Sequence, residues 1–284
     1  MHFQKCIIFY NSINVNYDTI KRFYQEIKKF FKCLTPVDIT NKRNLVLIKT
    51  NIEKLGINEK ALIINLGGDG SLFSSLSFLA SLLDIYQIFT ISFNFGNKGF
   101  YCFYDKQILF KFMEGEFNLI ETIEKDYQEN NYLTGSFWIV NDEFYFVGDT
   151  VIKSYTHYKT IKLSYTIEGK EIEEIADGLI SFTAFGSTGY FLSINGIYID
   201  TDFKDLIGIS FIAPHSLKSR PILLKNKEII ITNKDKKSAI LLTDGQDKLI
   251  LEPQKYISIK KTSKTFALLG NKNTFKRWAE TFYE

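Results

Sequence analysis

The spacing of apolar residues along the chain changes several times, and each change marks an element. Residues 6–10 (CIIFY) form a short apolar run, the signature of a buried strand. Between Asp18 and Lys32, Ile20, Phe23, Tyr24, Ile27, Phe30 and Phe31 recur among charges, which predicts an amphipathic helix. Residues 44–48 (NLVLI) predict a second strand. Residues 61–66 (ALIINL) are almost wholly apolar and end at Gly67-Gly68, so they predict a buried strand stopped by a turn. Leu72, Leu76, Leu79 and Leu83 then return at helical spacing, predicting a helix with one apolar face. Residues 87–93 (QIFTISF) are a further apolar strand. Strands alternating with helices imply a parallel sheet with crossovers, and sites at the carboxyl ends of its strands.

From about residue 103 the pattern shortens. A helix is expected over 106–116. Residues 137–140, with Phe144 and Phe146, predict a hairpin about Asn141-Asp142. Ile161, Leu163, Tyr165 and Ile167 alternate with polar residues and run into a Glu168-Gly169 turn. Further strands are predicted at 179–183, 207–212, 228–232, 239–242, 248–251 and 256–260. The last period is helical again, with Phe275, Trp278, Ala279 and Phe282 on one face. That stripe needs cover, and packing against the first domain supplies it. The expected architecture is therefore two domains. Residues 1–104 with about 264–284 form a Rossmann-like α/β domain, and about 105–263 form a β-rich domain.

Composition narrows the class. The chain has 284 residues, 45% of them hydrophobic, enough for one large or two medium domains. A net charge of +3 is well short of a nucleic-acid footprint. No apolar run is long enough for a signal peptide or a membrane span. Cys6, Cys33 and Cys102 are odd in number and widely spaced, which argues against a disulfide framework and a zinc site and for buried small hydrophobes. A soluble, cytoplasmic protein is expected.

Chemistry concentrates in two stretches. In Gly67-Gly68-Asp69-Gly70-Ser71 a strand feeds a helix, so backbone N–H groups and a helix N-terminus face outward and suit a phosphate. Asp69 is the odd member, because a carboxylate repels phosphate. It makes sense as a metal ligand or as the base that takes a proton from an attacking hydroxyl; the plain structural reading is a helix N-cap. Residues 94–101 (NFGNKGFY) make a second Gly-containing loop on the same sheet edge. More than a hundred residues later, Asp177-Gly178 opens a strand that runs into Gly186-Ser187-Thr188-Gly189-Tyr190, followed by Ser193. Short hydroxyls suit ribose and phosphate oxygens, and Tyr190 can stack on a base.

Together these stretches resemble the NAD kinase family. Its marks are Gly-Gly-Asp-Gly-(Ser/Thr), Asn-x-Gly-x-x-Gly-Phe, Asp-Gly followed by Gly-Ser-Thr-Ala-Tyr, and Pro-His-Ser-Leu-x-x-Arg-Pro-Ile. Here they stand in order at 67–71, 94–100, 177–190 and 214–222, with Thr243-Asp244-Gly245 as a further Asp-Gly turn. The resemblance implies the NAD kinase/diacylglycerol kinase-like fold, with NAD bound between the domains and a homodimer or homotetramer. The implied reaction transfers a phosphoryl group from ATP or polyphosphate, with Mg²⁺, to the 2′-hydroxyl of the adenosine ribose of NAD. Asp69 is the implied catalytic residue. Gly68, Gly70, Ser71, Phe100, Gly148, Asp149, Asp177, Thr188, Gly189, Tyr190, Ser193, Asp244 and Gly245 are the implied substrate and cofactor contacts, and no metal ligand is assigned.

Three positions depart from the family pattern. Gly148-Asp149 stands where Asn-Glu is usual, Asn141-Asp142 being the other alignment. Gly189 replaces Ala, and residues 195–197 (NGI) replace Gly-Gly-Pro. His215 and His157 are expected to be structural or exposed, and Lys98 either meets a donor phosphate or is solvated. The rival functions are a non-catalytic NAD(P)-binding protein and, from a shared Gly-Gly-Asp-Gly turn, a lipid or sphingoid kinase, which lacks the Gly-Ser-Thr turn. A Gly-x-x-x-x-Gly-Lys-(Ser/Thr) P-loop is absent from the sequence.

Overall fold

The computed structural model describes residues 2–41, 48, 50–52, 61–84, 86–97, 99–156, 159–194, 196–216, 219–270 and 273–283. It divides into two compact units, Met1–Thr134 with Lys264–Glu284, and Gly135–Ser263. The first division thus falls at 134–135 rather than at the expected 104–105. The reason is packing: Leu109, Phe112, Leu119 and Ile123 belong to the core of the first unit.

The first unit is an open parallel sheet with helices. Its elements are β1 (Lys5–Tyr10), α1 (Tyr17–Ile27), β2 (Lys32–Cys33), β3 (Val37–Asp38), β4 (Ala61–Gly67), α2 (Asp69–Leu82), β5 (Gln87–Asn94), β6 (Tyr104–Asp105), α3 (Lys106–Met113) and α4 (Leu119–Gln128). β4 lies between β1 and β5, parallel to both, and every one of its residues is buried. That explains its unbroken apolar sequence, since a central parallel strand is covered on both faces.

α2 differs from expectation. Ser71, Ser74, Ser75 and Ser77 are buried along with its leucines, so it is covered on more than one face. Serine fits there because its hydroxyl turns back onto the helix, as Ser75 Oγ does to the Ser71 carbonyl at 2.7 Å. Of the strand expected at 44–48, residues 44–47 lie outside the described residues and Ile48 is helical. Cys6 and Cys33 are joined in a disulfide, against the expectation of three separate thiols. The parallel register of β1 and β2 sets them opposite each other, their Cα atoms 4.8 Å apart, which the spacing in sequence conceals.

The second unit is an antiparallel β-sandwich. β7 (Tyr132–Val140), β8 (Phe144–Phe146), β9 (Asp149–Ser154), β10 (Ile161–Ile167), β11 (Lys170–Ala176), β12 (Gly178–Thr183), a 3₁₀ turn (Phe185–Thr188), α5 (Tyr190–Ser193) and β13 (Leu206–Ile212) come first. β14 (Ile222–Lys225), β15 (Ile229–Asn233), β16 (Ala239–Thr243), β17 (Gln246–Leu251) and β18 (Tyr256–Leu269) follow. One sheet runs β14-β13-β12-β9-β16-β17; facing it are β11-β10-β15 and the start of β18. Trp138, Ile152, Leu163, Leu179, Ile209, Leu241 and Ile259 are among the residues filling the space between them.

The hairpin turns use left-handed residues, Asn, Asp and Gly together with Glu168: Asn141-Asp142, Glu168-Gly169 and Asp244-Gly245 all have positive φ. β11 was not foreseen because it is an edge strand exposed along most of its length, so charges replace the alternating pattern.

The end of β18 belongs to the first unit, where Thr265, Phe266, Ala267 and Leu268 pair in parallel with β5. α6 (Thr274–Tyr283) closes that unit. It packs there as expected: within the expected stripe Trp278 and Ala279 are half-buried, with Trp278 Nε1 covered, while Phe275 is 59% exposed. Arg277 adds polar contacts inward.

On the outer side of β12 the ring of Phe182 stacks on Phe191 at 3.6 Å between centroids and lies across Gly208, its cross-strand partner. A Cβ at Gly208 would meet the ring at 2.1 Å. Both residues are buried, so the ring has no free space to enter. Gly208→Ala is expected to cost about 1–3 kcal/mol by overpacking. A lower urea midpoint with an unchanged slope is the expected observation; an unchanged midpoint would refute the packing argument.

Candidate functional site

In the first unit the site is built where β4 meets α2. Gly67 has no room for a side chain, since a Cβ there would lie 2.1 Å from Ser71 Oγ. The Ser71 hydroxyl is spent within the turn, donating to the Gly68 carbonyl at 2.8 Å. Gly68, not Asp69, is the N-cap of α2. Gly70 is open: a Cβ there would meet nothing within 4 Å. The Asp69 carboxylate is thus free of capping duty and reaches the second loop. Its Oδ2 accepts from the Phe100 N–H and its Oδ1 from the Tyr101 N–H, both at 2.8 Å.

That second loop is fixed from several sides. Asn94 Oδ1 accepts from the Gly96 N–H at 2.9 Å, and Phe95 donates its N–H to the Gly67 carbonyl at 3.0 Å. Phe100 is buried. Lys98 lies outside the described residues. Below the turn, Asn65 Nδ2 donates to Ser92 Oγ, and Ser92 Oγ to Cys102 Sγ. Burial pushes the Asp69 carboxyl up from the ordinary carboxylate range, while the two N–H bonds and the nearby Arg277 pull it back. Burial and the neighbouring Asp69 raise the Cys102 thiol well above its usual range. Phosphate-accessible backbone and a held carboxylate, side by side, are what a phosphoryl-transfer site asks of a protein.

In the second unit a different carboxylate organises the backbone. Asp244, at the turn between β16 and β17, accepts three consecutive N–H groups: Val147 at 2.9 Å, Gly148 at 2.8 Å and Asp149 at 3.2 Å. Its own N–H returns a bond to the Asp149 carbonyl at 2.9 Å. Gly245 completes the turn with φ +73. The Gly148 carbonyl accepts from the Thr183 N–H at 2.9 Å. A Cβ at Gly186 would strike that carbonyl at 2.1 Å, so Gly186 brings its turn directly against Gly148. Thr183 ties the two together, its hydroxyl donating to the Val147 carbonyl at 2.6 Å and accepting from the Gly186 N–H.

The Gly-Ser-Thr-Gly stretch sorts its hydroxyls. Ser187 is structural: it is buried and holds the Ile199 N–H at 3.0 Å. Thr188 is half-buried and Ser193 exposed, each bonded to a carbonyl of its own turn. Tyr190 is 44% exposed. Gly189 faces Asp149, with the place of its missing Cβ 3.9 Å from Asp149 Oδ2. Gly148, Asp149, Thr188, Gly189, Tyr190, Asp244 and Gly245 therefore gather at one end of β12. Asp177 does not. It is exposed at the opposite end of that six-residue strand, roughly 20 Å away by strand geometry.

The other candidates fall into place as scaffold. Asn141 accepts from the Ser258 N–H and Asp142 pairs with Lys260, so the alternative Asn-Asp pair serves its hairpin. His215 is exposed and donates its N–H to the Ile175 carbonyl. His157 and Asn195 lie outside the described residues. Thr183 and Arg277 were missed. Nothing in the pattern marks Thr183, which sits inside a strand. Arg277 is a cation set among the apolar positions of a helical stripe, and that was its signal.

Asp149 yields a prediction. Burial first, and the fixed anion Asp244 second, raise its carboxyl to about 7. The folded state then holds a proton that the unfolded chain releases near pH 4. The contribution of Asp149 to stability is fully present below that lower value and is lost as pH rises toward 7, by about 1.4 kcal/mol per pH unit in the interval between. Asp149→Asn removes this dependence. Urea unfolding at pH 5 and pH 8 should show wild type losing more stability than the variant; equal losses would refute the assignment.

Comparison with known proteins gives the family. Residues 148–270 match the family model described as ATP-NAD kinase C-terminal domain. The chain is 31% identical to the NAD kinase of Campylobacter jejuni over 247 residues, covering 82% of each protein. It is 27% identical to that of Clostridium beijerinckii over 272 residues, covering 91% of this chain and 88% of that one. Among solved structures, the Archaeoglobus fulgidus NAD kinase in complex with ATP superposes with a TM-score of 0.72 at 18% identity, over 98% of both chains. Yeast NADH kinase complexed with NADH gives 0.71 at 16%, over all of this chain and 88% of that one. The fold is theirs, and the chain belongs to the NAD kinase family.

Proposed function

We infer that the chain is an NAD kinase, transferring the terminal phosphoryl group of ATP to the 2′-hydroxyl of the adenosine ribose of NAD to give NADP. The observation that carries this reading is the Asp69 carboxylate, held on a Gly-rich strand-to-helix turn with both oxygens oriented by backbone amides. The 2′-oxygen attacks the γ-phosphorus, the bond to the β–γ bridging oxygen breaks, and Asp69 takes the hydroxyl proton. The amides of the Gly67–Gly68 turn suit the phosphates. Gly189 and the exposed Tyr190 ring suit the adenosine, with Asp149 beside them.

The complexes of the archaeal and yeast relatives support ATP and a nicotinamide dinucleotide as ligands. Polyphosphate is the alternative donor within the same reading. Among the described residues, no group of three or more His, Cys, Asp or Glu is placed to hold a metal ion. That donor set fits Mg²⁺ bound by phosphate oxygens and water rather than by a protein cage. The ion would neutralise charge on the phosphates. No described helix is long and apolar enough to cross a membrane. A cytoplasmic homodimer or homotetramer completes the proposal, and exposed Ile197 and Phe203 offer apolar surface for association.

The test is NADP formation by the purified protein with NAD and Mg²⁺, using ATP and polyphosphate in parallel. NADP from ATP is expected. Folded protein that binds NAD and forms no NADP from either donor would overturn the kinase reading in favour of a binding protein. Asp69→Asn is expected to lower kcat by ~10²–10⁴. It also presents one acceptor to two N–H groups, so a stability loss of about 1–3 kcal/mol should accompany it. Full turnover in that variant would remove Asp69 from the chemistry.

A further inference from the structure

The C-terminal helix reaches the Asp69 loop through a single side chain. Asn273 caps α6, its Oδ1 accepting from the Lys276 N–H at 2.9 Å, and Arg277 follows in the first turn. The Arg277 guanidinium donates from Nε to the Phe100 carbonyl at 2.5 Å. Its Nη2 donates to the Gly99 carbonyl at 2.5 Å and to the Cys102 carbonyl at 2.7 Å. Its central carbon lies 5.4 Å from the centroid of the Phe103 ring. Residues 99–103 are therefore gripped on both sides of the backbone. The N–H groups of Phe100 and Tyr101 go to Asp69, and the carbonyls of Gly99, Phe100 and Cys102 go to Arg277.

The chemistry of the two residues makes this a coupled arrangement. A guanidinium has a rigid fork of donors and satisfies several carbonyls in one geometry, which an ammonium cannot do. All three of these bonds go to neutral oxygens, so the charge itself is met elsewhere. Asp69, across the loop, is foremost among the groups that meet it, ahead of Glu280 on the same helix. Asp69 in turn meets Arg277 as the cation that opposes its burial. Each residue orders the loop through the peptide groups the other leaves open. Buried peptide groups in an irregular segment need such partners, and residues 100–103 are in no regular strand or helix.

We propose that Arg277 is a positioning residue for the phosphoryl-transfer reaction, fixing the 99–102 backbone whose N–H groups aim the Asp69 carboxylate. This rests on the proposed function for its kinetic consequence, but its structural consequence stands apart. The C-terminal helix is then a working part of the first unit's site.

The experiment uses the full chain with Arg277→Met, which removes the charge and the bonds, and Arg277→Lys, which keeps the charge without the fork. Hydrogen exchange of the free protein comes first. The Phe100 and Tyr101 amides should exchange about tenfold faster or more in both variants, with β4 amides unchanged. Unchanged protection at these two amides would overturn the proposal. Kinetics follow. Arg277→Met should lower kcat about tenfold or more while KM for NAD stays within about twofold, as expected when only aim is lost. In an Asp69→Asn background the same change should cost less than about twofold in the residual kcat, because contacting residues that act together are not additive. Equal costs in the two backgrounds would show a merely structural role and overturn the proposal. A wild type that makes no NADP would overturn the proposed function instead, and the exchange result alone would then decide whether Arg277 holds the loop.

Discussion

Backbone N–H groups in irregular segments must find acceptors, and this protein meets that need twice with an aspartate that takes consecutive amides. In the first unit Asp69 accepts from Phe100 and Tyr101; in the second Asp244 accepts from Val147, Gly148 and Asp149. Asp69 gathers a loop outside any strand or helix, and Asp244 gathers the irregular Val147-Gly148 step and the first residue of β9. Each does so next to a glycine set against backbone: Gly96, whose Cβ position lies 3.5 Å from the Gly68 Cα, in one case, and Gly186, against the Gly148 carbonyl, in the other. The two candidate sites, one in each unit, are thus built by the same physical device on unrelated scaffolds.

The device has electrostatic consequences that differ between the units. Around Asp69 the burial penalty is opposed by two amides and a cation. Asp244 has three amides as partners, and the cost of its fixed charge falls on its neighbour. Asp149 is therefore the group whose carboxyl is raised, to about 7, with Gly189 in front of it. Of two neighbouring aspartates, the one without the backbone amides is the one whose carboxyl is raised.

Much of this was legible from the sequence. The alternation of strand and helix before residue 94, the switch to short alternating segments, and the three positive-φ turns at Asn141-Asp142, Glu168-Gly169 and Asp244-Gly245 are local signals, and local signals survive into the fold. What was not legible is non-local. The segment 105–134 joins the first unit because Leu109, Phe112, Leu119 and Ile123 find its core, which periodicity alone does not reveal. Cys6 and Cys33 meet through strand register rather than spacing. Asp177 sits beside Gly178 in the motif, yet a full strand separates it from Thr188. Phe275 fits the helical stripe and points to solvent, while Arg277 goes inward because three carbonyls of a distant loop await a donor.

Gly148 shows how far a motif substitution travels in structural terms. Where the family carries an amide side chain, this chain has none, yet the backbone there is fully engaged: its N–H goes to Asp244, its carbonyl to Thr183, and Gly186 packs against that carbonyl. The loss therefore removes a side-chain donor and acceptor without loosening the strand that presents Asp149. Below about pH 7 the raised Asp149 carboxyl carries a proton and offers one donor and one acceptor. The hydrogen-bonding chemistry available beside Gly189 then depends on pH through Asp149, whose shift owes its second cause to the Asp244 carboxylate that three amides hold in place.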